Sequence, residues 1–417
     1  MNYVRLSICA AFCFAVLVIM GGCGGDASTS PTNTAGDAIK AQLQATINAY
    51  LQQRAQPEAI SGVALYVDLG HGEPIELFTG TNGHDGRPID AATLFQIGSN
   101  TKHFTAALIL KLEAKGKLSI DQTVGDWLPQ YPAWSKITIR SLLNMTSDIP
   151  NYSETVQIGQ IEAANIHYQF TPEALIASVY EQNLPPASGW FYSNTNYILA
   201  GLIIEAASGM SYEQALRRMI LKPLGLGNTF YSDGPYPRGI LGRLPRGTYD
   251  NHTCLMYQPQ PCTVSTLAPL IGQDVSNQNM SWAGPAGAIV SNTADLAKWI
   301  RDLFGLRVFP KKQLDEMTML VSAKTGLPIQ DTSPSDPSGF GLGLARSYIA
   351  AYGGSFWFYE GETLGFRAVF AYWPQYGLVI TTATNSQPEN GQDQLGVDVV
   401  GGALQVLKNA GIIQSGK

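Results

Sequence analysis

The order of strand-like and helical segments constrains the fold of this chain more than any other feature. β-branched and aromatic residues alternate over 61–69 and 73–80, and the Gly-His-Gly between these segments predicts a hairpin. Segments with helical periodicity then occupy the middle of the chain, and β-rich segments return near its end. Sheet-forming segments on both sides of a helical block predict an α/β lobe, about 38–98 and 280–417, interrupted by an all-α lobe of about 99–279.

The first 22 residues are typical of a bacterial lipoprotein signal peptide. Arg5 precedes an apolar run, Leu6–Met20, that is shorter than the ~20 residues a membrane-spanning helix needs. Small residues follow, and Cys23 stands where such signals place the cysteine that becomes the lipidated first residue of the mature chain. Residues 23–37 are rich in Gly, Ser, Thr and Pro and predict a flexible tether before a helix that begins at Ala38. The alternative is plain secretion.

The same interpretation assigns the five cysteines. Two leave with the signal peptide and Cys23 carries the lipid, which predicts anchoring on the periplasmic side of the bacterial cell envelope. Gly24 after Cys23 resembles the outer-membrane sorting pattern, if the source is Gram-negative. Cys254 and Cys262 lie in a short Pro/Gln-rich loop, where an oxidising compartment favours a disulfide. A metal site is the weaker alternative, because His252 is the only imidazole nearby.

Composition and charge exclude several classes of partner. Charged residues make up 14% of the chain, the net charge is −6 and no basic stripe is visible, so nucleic acid is not an expected partner. The histidines are scattered without the spacing of a metal site. The glycines of 339–345 lack the strand-turn-helix context of a dinucleotide-binding motif. The sequence therefore predicts no metal and no cofactor.

Ser99 and Lys102 are the first candidate chemical groups. They stand three apart at the start of a helical segment, so both side chains project from one helix face. One interpretation is a serine N-cap beside a surface lysine. The other is a nucleophile beside its base, because a buried lysine loses its proton readily. A second polar cluster, Tyr192-Ser193-Asn194, precedes another apolar helix, and its tyrosine and asparagine are candidates for proton relay and amide binding.

These clusters carry a resemblance to the class C β-lactamase and penicillin-binding-protein group of serine hydrolases, which includes D-alanyl-D-alanine carboxypeptidases and related esterases. Ser99 to Lys102 matches the S-x-x-K motif, and Tyr192 to Asn194 matches the Y-x-N motif. Blocks similar to those of the group follow in order over about 39–400. The resemblance implies a two-lobed serine β-lactamase/DD-peptidase-like fold, in which an antiparallel sheet is flanked by helices and the site lies in the cleft beside an inserted helical lobe.

The resemblance also implies the chemistry. Ser99 is expected to attack a carbonyl and form an acyl-enzyme, Lys102 and Tyr192 to share the proton transfers, and Asn194 to contact the substrate amide or Lys102. Two backbone N–H groups, one from Ser99 and one from a sheet strand, are expected to form the oxyanion hole. The expected substrates are small molecules or peptides: a D-amino-acid peptide, a β-lactam or a small ester.

The third motif departs from the pattern of the group. K-T-G or H-x-G is usual there, whereas this chain has Tyr359-Glu360-Gly361, which assigns the second oxyanion N–H to Glu362. A carboxylate in place of a cation disfavours carboxylate-bearing substrates. The expected substrates are therefore esters, neutral amides, or compounds with an amine that pairs with Glu360. Arg367 is a candidate for a cation that replaces the usual lysine or histidine in the cleft. The altered motif leaves a non-hydrolytic binding or sensor lipoprotein as the alternative function.

Overall fold

The computed structural model describes residues 34–180, 189–251, 266–388 and 395–413, and its largest element is a nine-stranded antiparallel sheet. The strands are β1 (Gly62–Asp68), β2 (Ile75–Gly80), β3 (Phe95–Gln96), β4 (Phe230–Tyr231), β5 (Thr248–Asp250), β6 (Ile289–Ser291), β7 (Leu320–Ser322), β8 (Pro328–Ile329), β9 (Ser338–Phe340), β10 (Ala345–Ile349), β11 (Gly354–Glu362), β12 (Arg367–Trp373), β13 (Leu378–Thr384) and β14 (Ser386–Pro388). The large sheet has the order β2-β1-β13-β12-β11-β10-β9-β7-β8. Strands β3, β6 and β4 form a second sheet, and β5 pairs with β14 in parallel.

Helices cover both faces of the large sheet. They are α1 (Thr34–Arg54), α2 (Thr101–Ala114), α3 (Val124–Trp127), α4 (Ile139–Leu143), α5 (Val156–Ala164), α6 (Pro172–Tyr180), α7 (Asn194–Ser208), α8 (Tyr212–Leu216), α9 (Lys222–Leu224), α10 (Arg238–Leu241), α11 (Gly284–Gly287), α12 (Thr293–Phe304), α13 (Lys311–Thr318) and α14 (Gly402–Asn409). A π-helical segment, Arg217–Leu221, joins α8 to α9, and another, Leu395–Gly401, precedes α14.

The predicted hairpin is confirmed, and it connects the two ends of the described chain. β1 pairs antiparallel with β2 on one side and with β13 on the other. The α/β part of the fold is therefore assembled from segments that precede and follow the helical block. Of the helices that precede β4, α1 contacts β1 and β2, and α2 shares an apolar core with residues of β12 and β13, as the predicted mixed α/β class requires.

The two faces of the sheet carry two apolar cores. Leu43 and Ile47 of α1 pack with Leu404 of α14 on one face. On the other face α2 crosses the larger core, and every residue from Thr101 to Leu110 is buried. A helix that is buried all round is expected where its sequence has no continuous polar face. The buried ionisable residues at the start of α2 therefore need a specific environment, and the catalytic candidates lie there.

Several boundaries differ from the sequence prediction for local reasons. α1 begins at Thr34, so its first turn lies in the segment predicted as a tether. β9 and β10 are separate strands within one of the β-rich segments near the end of the chain, because Gly343 between them has a φ of +72° and turns the chain close to the backbone of Lys102. β4 and β5 lie within the predicted helical lobe, because they pair with β6 and β14 of the other segment.

The described ranges contain no helix that is long and apolar enough to cross a membrane. The predicted signal peptide and Cys23 precede those ranges. The predicted Cys254–Cys262 disulfide also lies outside the described residues.

Candidate active site

Ser99 lies in a tight turn between β3 and α2. Residues Gly98–Asn100 form a single 3₁₀ turn, and Asn100 holds the position that precedes α2 without a side-chain cap. The Ser99 hydroxyl therefore does not serve as the helix cap. Its Oγ accepts hydrogen bonds from Lys102 Nζ at 3.0 Å and from the Tyr192 hydroxyl at 2.6 Å. The structure thus brings together the three residues predicted to be catalytic.

The Lys102 amine has the environment of a base. Its side chain is fully buried, and Nζ also donates a hydrogen bond to the backbone oxygen of Ala286 at 2.9 Å. The rings of Tyr192 and Tyr197 lie 4.8 and 5.5 Å from Nζ, and none of the ion pairs among the described residues includes this lysine. Burial lowers the pKa of Lys102 well below its ordinary value of 10.5. The neutral amine, which can accept the Ser99 proton, is therefore favoured.

The pKa of Tyr192 is shifted in the opposite direction to that of Lys102. Burial raises the pKa of its phenol to about 12, although the hydrogen bond to Ser99 acts in the other direction. A phenol with such a pKa holds its proton at neutral pH and can donate it to a leaving group. Burial thus shifts the two groups that contact Ser99 in opposite directions, because it favours the neutral amine of Lys102 and the protonated phenol of Tyr192.

The position of Tyr192 depends on a residue that the sequence analysis did not single out. Met145 accepts a hydrogen bond from the backbone N–H of Phe191 at 3.0 Å through its carbonyl oxygen. Its Sδ accepts the backbone N–H of Ser193 at 3.4 Å, so Met145 holds the chain on both sides of Tyr192. Met145 is fully buried and has a φ of +66°, which is unusual for a residue with a side chain. No pattern in the sequence marks this methionine.

Asn194 forms no hydrogen bond with Lys102, which was one of its two predicted partners. Its Nδ2 donates to Ser153 Oγ at 2.9 Å, and its backbone N–H donates to Asn151 Oδ1 at 3.0 Å. The residue begins α7, and these contacts attach that helix to the preceding loop. Contact with a substrate amide stays a prediction.

The backbone of β11 lies against the Ser99 turn, as the predicted oxyanion hole requires. A Cβ atom added to Gly361 would lie 1.9 Å from the backbone oxygen of Ile97, and one added to Gly98 would lie 2.6 Å from the backbone nitrogen of Glu362. Only glycines permit this approach. β10 pairs with β11 as far as Phe358, so the edge of β11 beyond that point is left uncovered by β10.

Side-chain alternation separates the residues of the third motif. Tyr359 faces α2, where its ring makes edge contacts with the rings of His103 at 6.3 Å and Phe340 at 5.9 Å between centroids. Glu360 follows directly on the strand and therefore lies on the opposite face. Glu362 accepts a hydrogen bond from Gln387 Nε2 at 3.3 Å. The expected pairing of Glu360 with a substrate amine in the Ser99 cleft is not supported by this geometry.

Arg367 is not a cation of the cleft, contrary to the expectation. Its side chain is fully buried, and its Nη2 forms an ion pair of 2.8 Å with Glu58, which is 2% exposed. Its Nε donates to the backbone oxygen of Ser386 at 2.8 Å. Burying a guanidinium requires a paired carboxylate, and Glu58 supplies it. Arg367 therefore joins β12 to the segment after α1.

His103, the neighbour of Lys102 in α2, has a structural rather than a chemical environment. His103 Nδ1 accepts a hydrogen bond from Trp299 Nε1 at 2.8 Å, and burial lowers the pKa of the imidazole to about 3. It is a neutral core histidine. Within the described ranges, no three His, Cys, Asp or Glu side chains cluster as a metal site would require.

Comparisons with known proteins agree with this geometry. Residues 47–404, most of the chain, match the protein family described as Beta-lactamase. The curated protein PbpX of Bacillus subtilis (strain 168), provisionally named a penicillin-binding protein, is 35% identical over 238 residues, which cover 56% of this chain and 52% of that protein. The chain spans between about a third and a half of the curated relatives it matches.

Solved structures extend the likeness over the whole fold. A D-stereospecific amidohydrolase from Streptomyces sp. is 26% identical with a TM-score of 0.66, covering 89% of this chain and 98% of the other. A D-amino acid amidase from Ochrobactrum anthropi SV3 has the same fold, with a TM-score of 0.72 at 24% identity and coverage of 89% and 99%. The S-x-x-K serine, its lysine and its tyrosine meet within this shared fold. The chain therefore belongs to the Beta-lactamase family.

Proposed function

We propose that this protein cleaves an ester or an amide bond through a covalent acyl-Ser99 intermediate. The observation that carries the proposal is the Ser99 hydroxyl between Lys102 Nζ and the Tyr192 hydroxyl, at 3.0 and 2.6 Å. A nucleophile in hydrogen-bonding reach of a base, with an acid beside it, is the arrangement that nucleophilic catalysis requires. The likeness to a D-stereospecific amidohydrolase supports amide as well as ester cleavage.

In the proposed acylation, Ser99 Oγ attacks the carbonyl carbon while neutral Lys102 accepts the hydroxyl proton. The carbonyl oxygen becomes an oxyanion beside the backbone N–H groups of Ser99 and Glu362. As the tetrahedral intermediate collapses, the bond to the leaving group breaks and Tyr192 gives its proton to the leaving atom. Lys102 then returns its proton to the Tyr192 oxygen, which restores both groups. Water attacks the acyl-enzyme in the second half-reaction and releases Ser99.

We further propose that the substrate carries no carboxylate beside the scissile bond. Tyr359 is uncharged where related enzymes have lysine or histidine, and Arg367 is paired with Glu58 inside the protein. A cation about 4 Å from a carboxylate contributes ~1 kcal/mol in water and ~4 kcal/mol at an effective dielectric constant of 20. Neither position 359 nor Arg367 supplies this contribution, which supports neutral esters and amides over β-lactams and peptides with a terminal carboxylate.

The test compares turnover of p-nitrophenyl acetate and butyrate, a D-amino acid amide and nitrocefin by the wild type. Ser99→Ala is the test variant, and Ser335→Ala in an exposed loop is the control. We expect Ser99-dependent turnover of the esters or the amide, and slow turnover of nitrocefin. Fast nitrocefin hydrolysis would contradict the neutral-substrate proposal. Absence of any Ser99-dependent turnover would contradict hydrolysis and favour the binding or sensor alternative.

We also propose that residues 1–22 are removed and that Cys23 carries a lipid, which anchors the protein on the periplasmic side of the envelope. The support is the Arg5, apolar run and small-residue pattern before Cys23. The test is labelling of growing cells with a palmitate analogue, followed by detergent phase partition. We expect labelled wild type in the detergent phase and unlabelled Cys23→Ser in the aqueous phase. Unlabelled, aqueous wild-type protein would contradict the anchor.

A further inference from the structure

Asn100 occupies a helix-capping position without capping the helix. An asparagine that precedes a helix normally accepts a backbone N–H of the first turn through its side-chain oxygen. Asn100 precedes α2, yet its side chain makes no such bond. Its Oδ1 has no partner among the described residues, although the residue is fully buried. An unpaired buried oxygen costs free energy, so other contacts must hold this side chain in place.

The amide nitrogen of Asn100 joins two separate segments of backbone. Nδ2 donates one hydrogen bond to the backbone oxygen of Ile97 at 3.1 Å and the other to the backbone oxygen of Ala368 at 2.9 Å. Both acceptors are carbonyl oxygens, so the NH₂ group faces them and both of its protons are used. Ile97 lies directly before the Ser99 turn, and Ala368 is the second residue of β12. The carboxamide thus connects the nucleophile to the sheet.

The carboxamide lies against the strand that carries the second oxyanion donor. Gly361 of β11 pairs with Ala368, and a Cβ atom added to Gly361 would lie 2.7 Å from Asn100 Nδ2. The next residue of this strand, Glu362, supplies one of the N–H groups assigned to the oxyanion hole. Ser99, which directly precedes Asn100, supplies the other. The carboxamide therefore links the two backbone segments whose N–H groups must converge on one oxygen atom.

The strand that this carboxamide binds is itself fixed. Arg367, the neighbour of Ala368, is fully buried and forms the ion pair of 2.8 Å with Glu58. Its Nε donates to the backbone oxygen of Ser386 at 2.8 Å. These contacts attach the start of β12 to the segment after α1 and to β14. The turn that carries the nucleophile is therefore bound to a firmly held part of the sheet.

We infer that Asn100 is a positioning residue that sets the distance between the oxyanion N–H groups of Ser99 and Glu362. This inference rests on the proposed function. When Ser99 attacks the substrate, the carbonyl oxygen becomes negatively charged, and both N–H groups must lie about 3 Å from it. Asn100 acts through the backbone segments to which the two donors belong. A displacement of about 1 Å in such an arrangement can lower the rate about 10²-fold.

The first test removes the two hydrogen bonds that Asn100 donates. Asn100→Leu has nearly the same size and no N–H group, and Asn100→Ser retains one hydroxyl, which cannot donate to both carbonyl oxygens. We expect each variant to lower kcat for p-nitrophenyl acetate about tenfold or more and to change KM less than about threefold, because the oxyanion develops only in the transition state. A folded variant with kcat within about threefold of the wild type would overturn the inference.

Asn292→Leu is the matched control, because it also removes a buried carboxamide that donates to a backbone oxygen. Asn292 is 5% exposed, its Nδ2 donates to the backbone oxygen of Ala91 at 2.9 Å, and its Oδ1 caps α12. The control should lower Tm through the lost cap and keep the kcat of the wild type, with all assays below the Tm of every variant. An equal loss of kcat in Asn292→Leu and Asn100→Leu would assign the effect to destabilisation and overturn the inference.

A second test does not depend on turnover. Hydrogen exchange of backbone N–H groups is followed by mass spectrometry in a peptide spanning 359–368, which contains the end of β11 and the start of β12. We expect Asn100→Leu to speed exchange in this peptide about tenfold, the factor that one hydrogen bond contributes, and Asn292→Leu to leave it unchanged. Unchanged exchange in Asn100→Leu would overturn the inference even if the enzyme turns over esters. Faster exchange in Asn100→Leu, together with a wild type that hydrolyses nothing, would refute the proposed function and leave the link through Asn100 established.

Discussion

Gly361→Ala isolates the close approach on which the proposed oxyanion hole depends. The new Cβ would lie 1.9 Å from the Ile97 oxygen and 2.7 Å from Asn100 Nδ2. A carbon and an oxygen in contact stand about 3.3 Å apart, so β11 and the Ser99 turn must separate by roughly 1.4 Å. The φ of Gly361 is not in the left-handed region, so alanine meets no backbone strain and the contact alone is tested.

The separation should displace the N–H group of Glu362 from the position of the oxyanion. Loss of one oxyanion donor costs about 10²–10³ in kcat, and we expect kcat/KM for p-nitrophenyl acetate to fall by about 10² or more. Overpacking should lower the free energy of unfolding by about 1–3 kcal/mol. The assay is ester hydrolysis below the Tm of the variant, with Tm measured in parallel.

Gly239→Ala is the control for this substitution, because a Cβ there meets no atom within 4 Å. Its activity and Tm should match those of the wild type. If Gly361→Ala stays folded and retains ester hydrolysis within about threefold of the wild type, the contact does not position an oxyanion donor, and the assignment of Glu362 would be wrong.

Three further predictions concern stability and positioning. Glu58→Ala should lower the free energy of unfolding by about 3–5 kcal/mol in urea titration, because it removes the carboxylate that pairs with the buried guanidinium of Arg367; a loss below about 1 kcal/mol would contradict the importance of this ion pair. Burial and the neighbouring carboxylate of Glu113 raise the pKa of Glu316 from 4.5 to about 7, so the folded state binds more protons than the unfolded state between these values. The wild type should therefore lose stability as pH rises from about 4.5 to 7, and Glu316→Gln should reduce that loss in Tm measured against pH; an unchanged slope would refute it. Met145→Leu should keep Tm within a few degrees yet lower kcat more than it changes KM, because it removes the sulfur that accepts the backbone N–H of Ser193, next to Tyr192. A variant with the kcat of the wild type would show that this hydrogen bond does not position Tyr192.

The sequence could predict two kinds of contact in the site: those between residues close together in the chain, and those that the resemblance to the family implies. Ser99 and Lys102 are three residues apart on one helix, and the structure joins them at 3.0 Å. Tyr192 was placed beside them only through the resemblance, because nothing local relates residues 93 positions apart. The 3₁₀ turn excludes the helix-cap interpretation of Ser99, because it gives the capping position to Asn100.

The errors of prediction concern side chains whose partners lie far away in the chain. Arg367 binds Glu58, 309 residues earlier, and no periodicity reports such a pairing. Asn194 likewise donates to Ser153, 41 residues earlier, rather than to Lys102, and its contact with a substrate amide stays a prediction. Glu360 is a different case, because its orientation does not depend on a distant partner. Successive side chains of a strand point to opposite faces, so Glu360 and Tyr359 cannot both face the Ser99 cleft. That signal was present in the sequence, but it required knowing which face of β11 meets α2.

The most direct test of the central claim is the mass of a trapped acyl-enzyme analogue. The protein is treated with a fluorophosphonate, digested and analysed by tandem mass spectrometry, with Ser99→Ala and Ser335→Ala treated in parallel. We predict one adduct on the peptide that contains Ser99, present in the wild type and in Ser335→Ala and absent in Ser99→Ala. A wild-type protein that stays unmodified, or an adduct that persists in Ser99→Ala, would contradict Ser99 as the nucleophile.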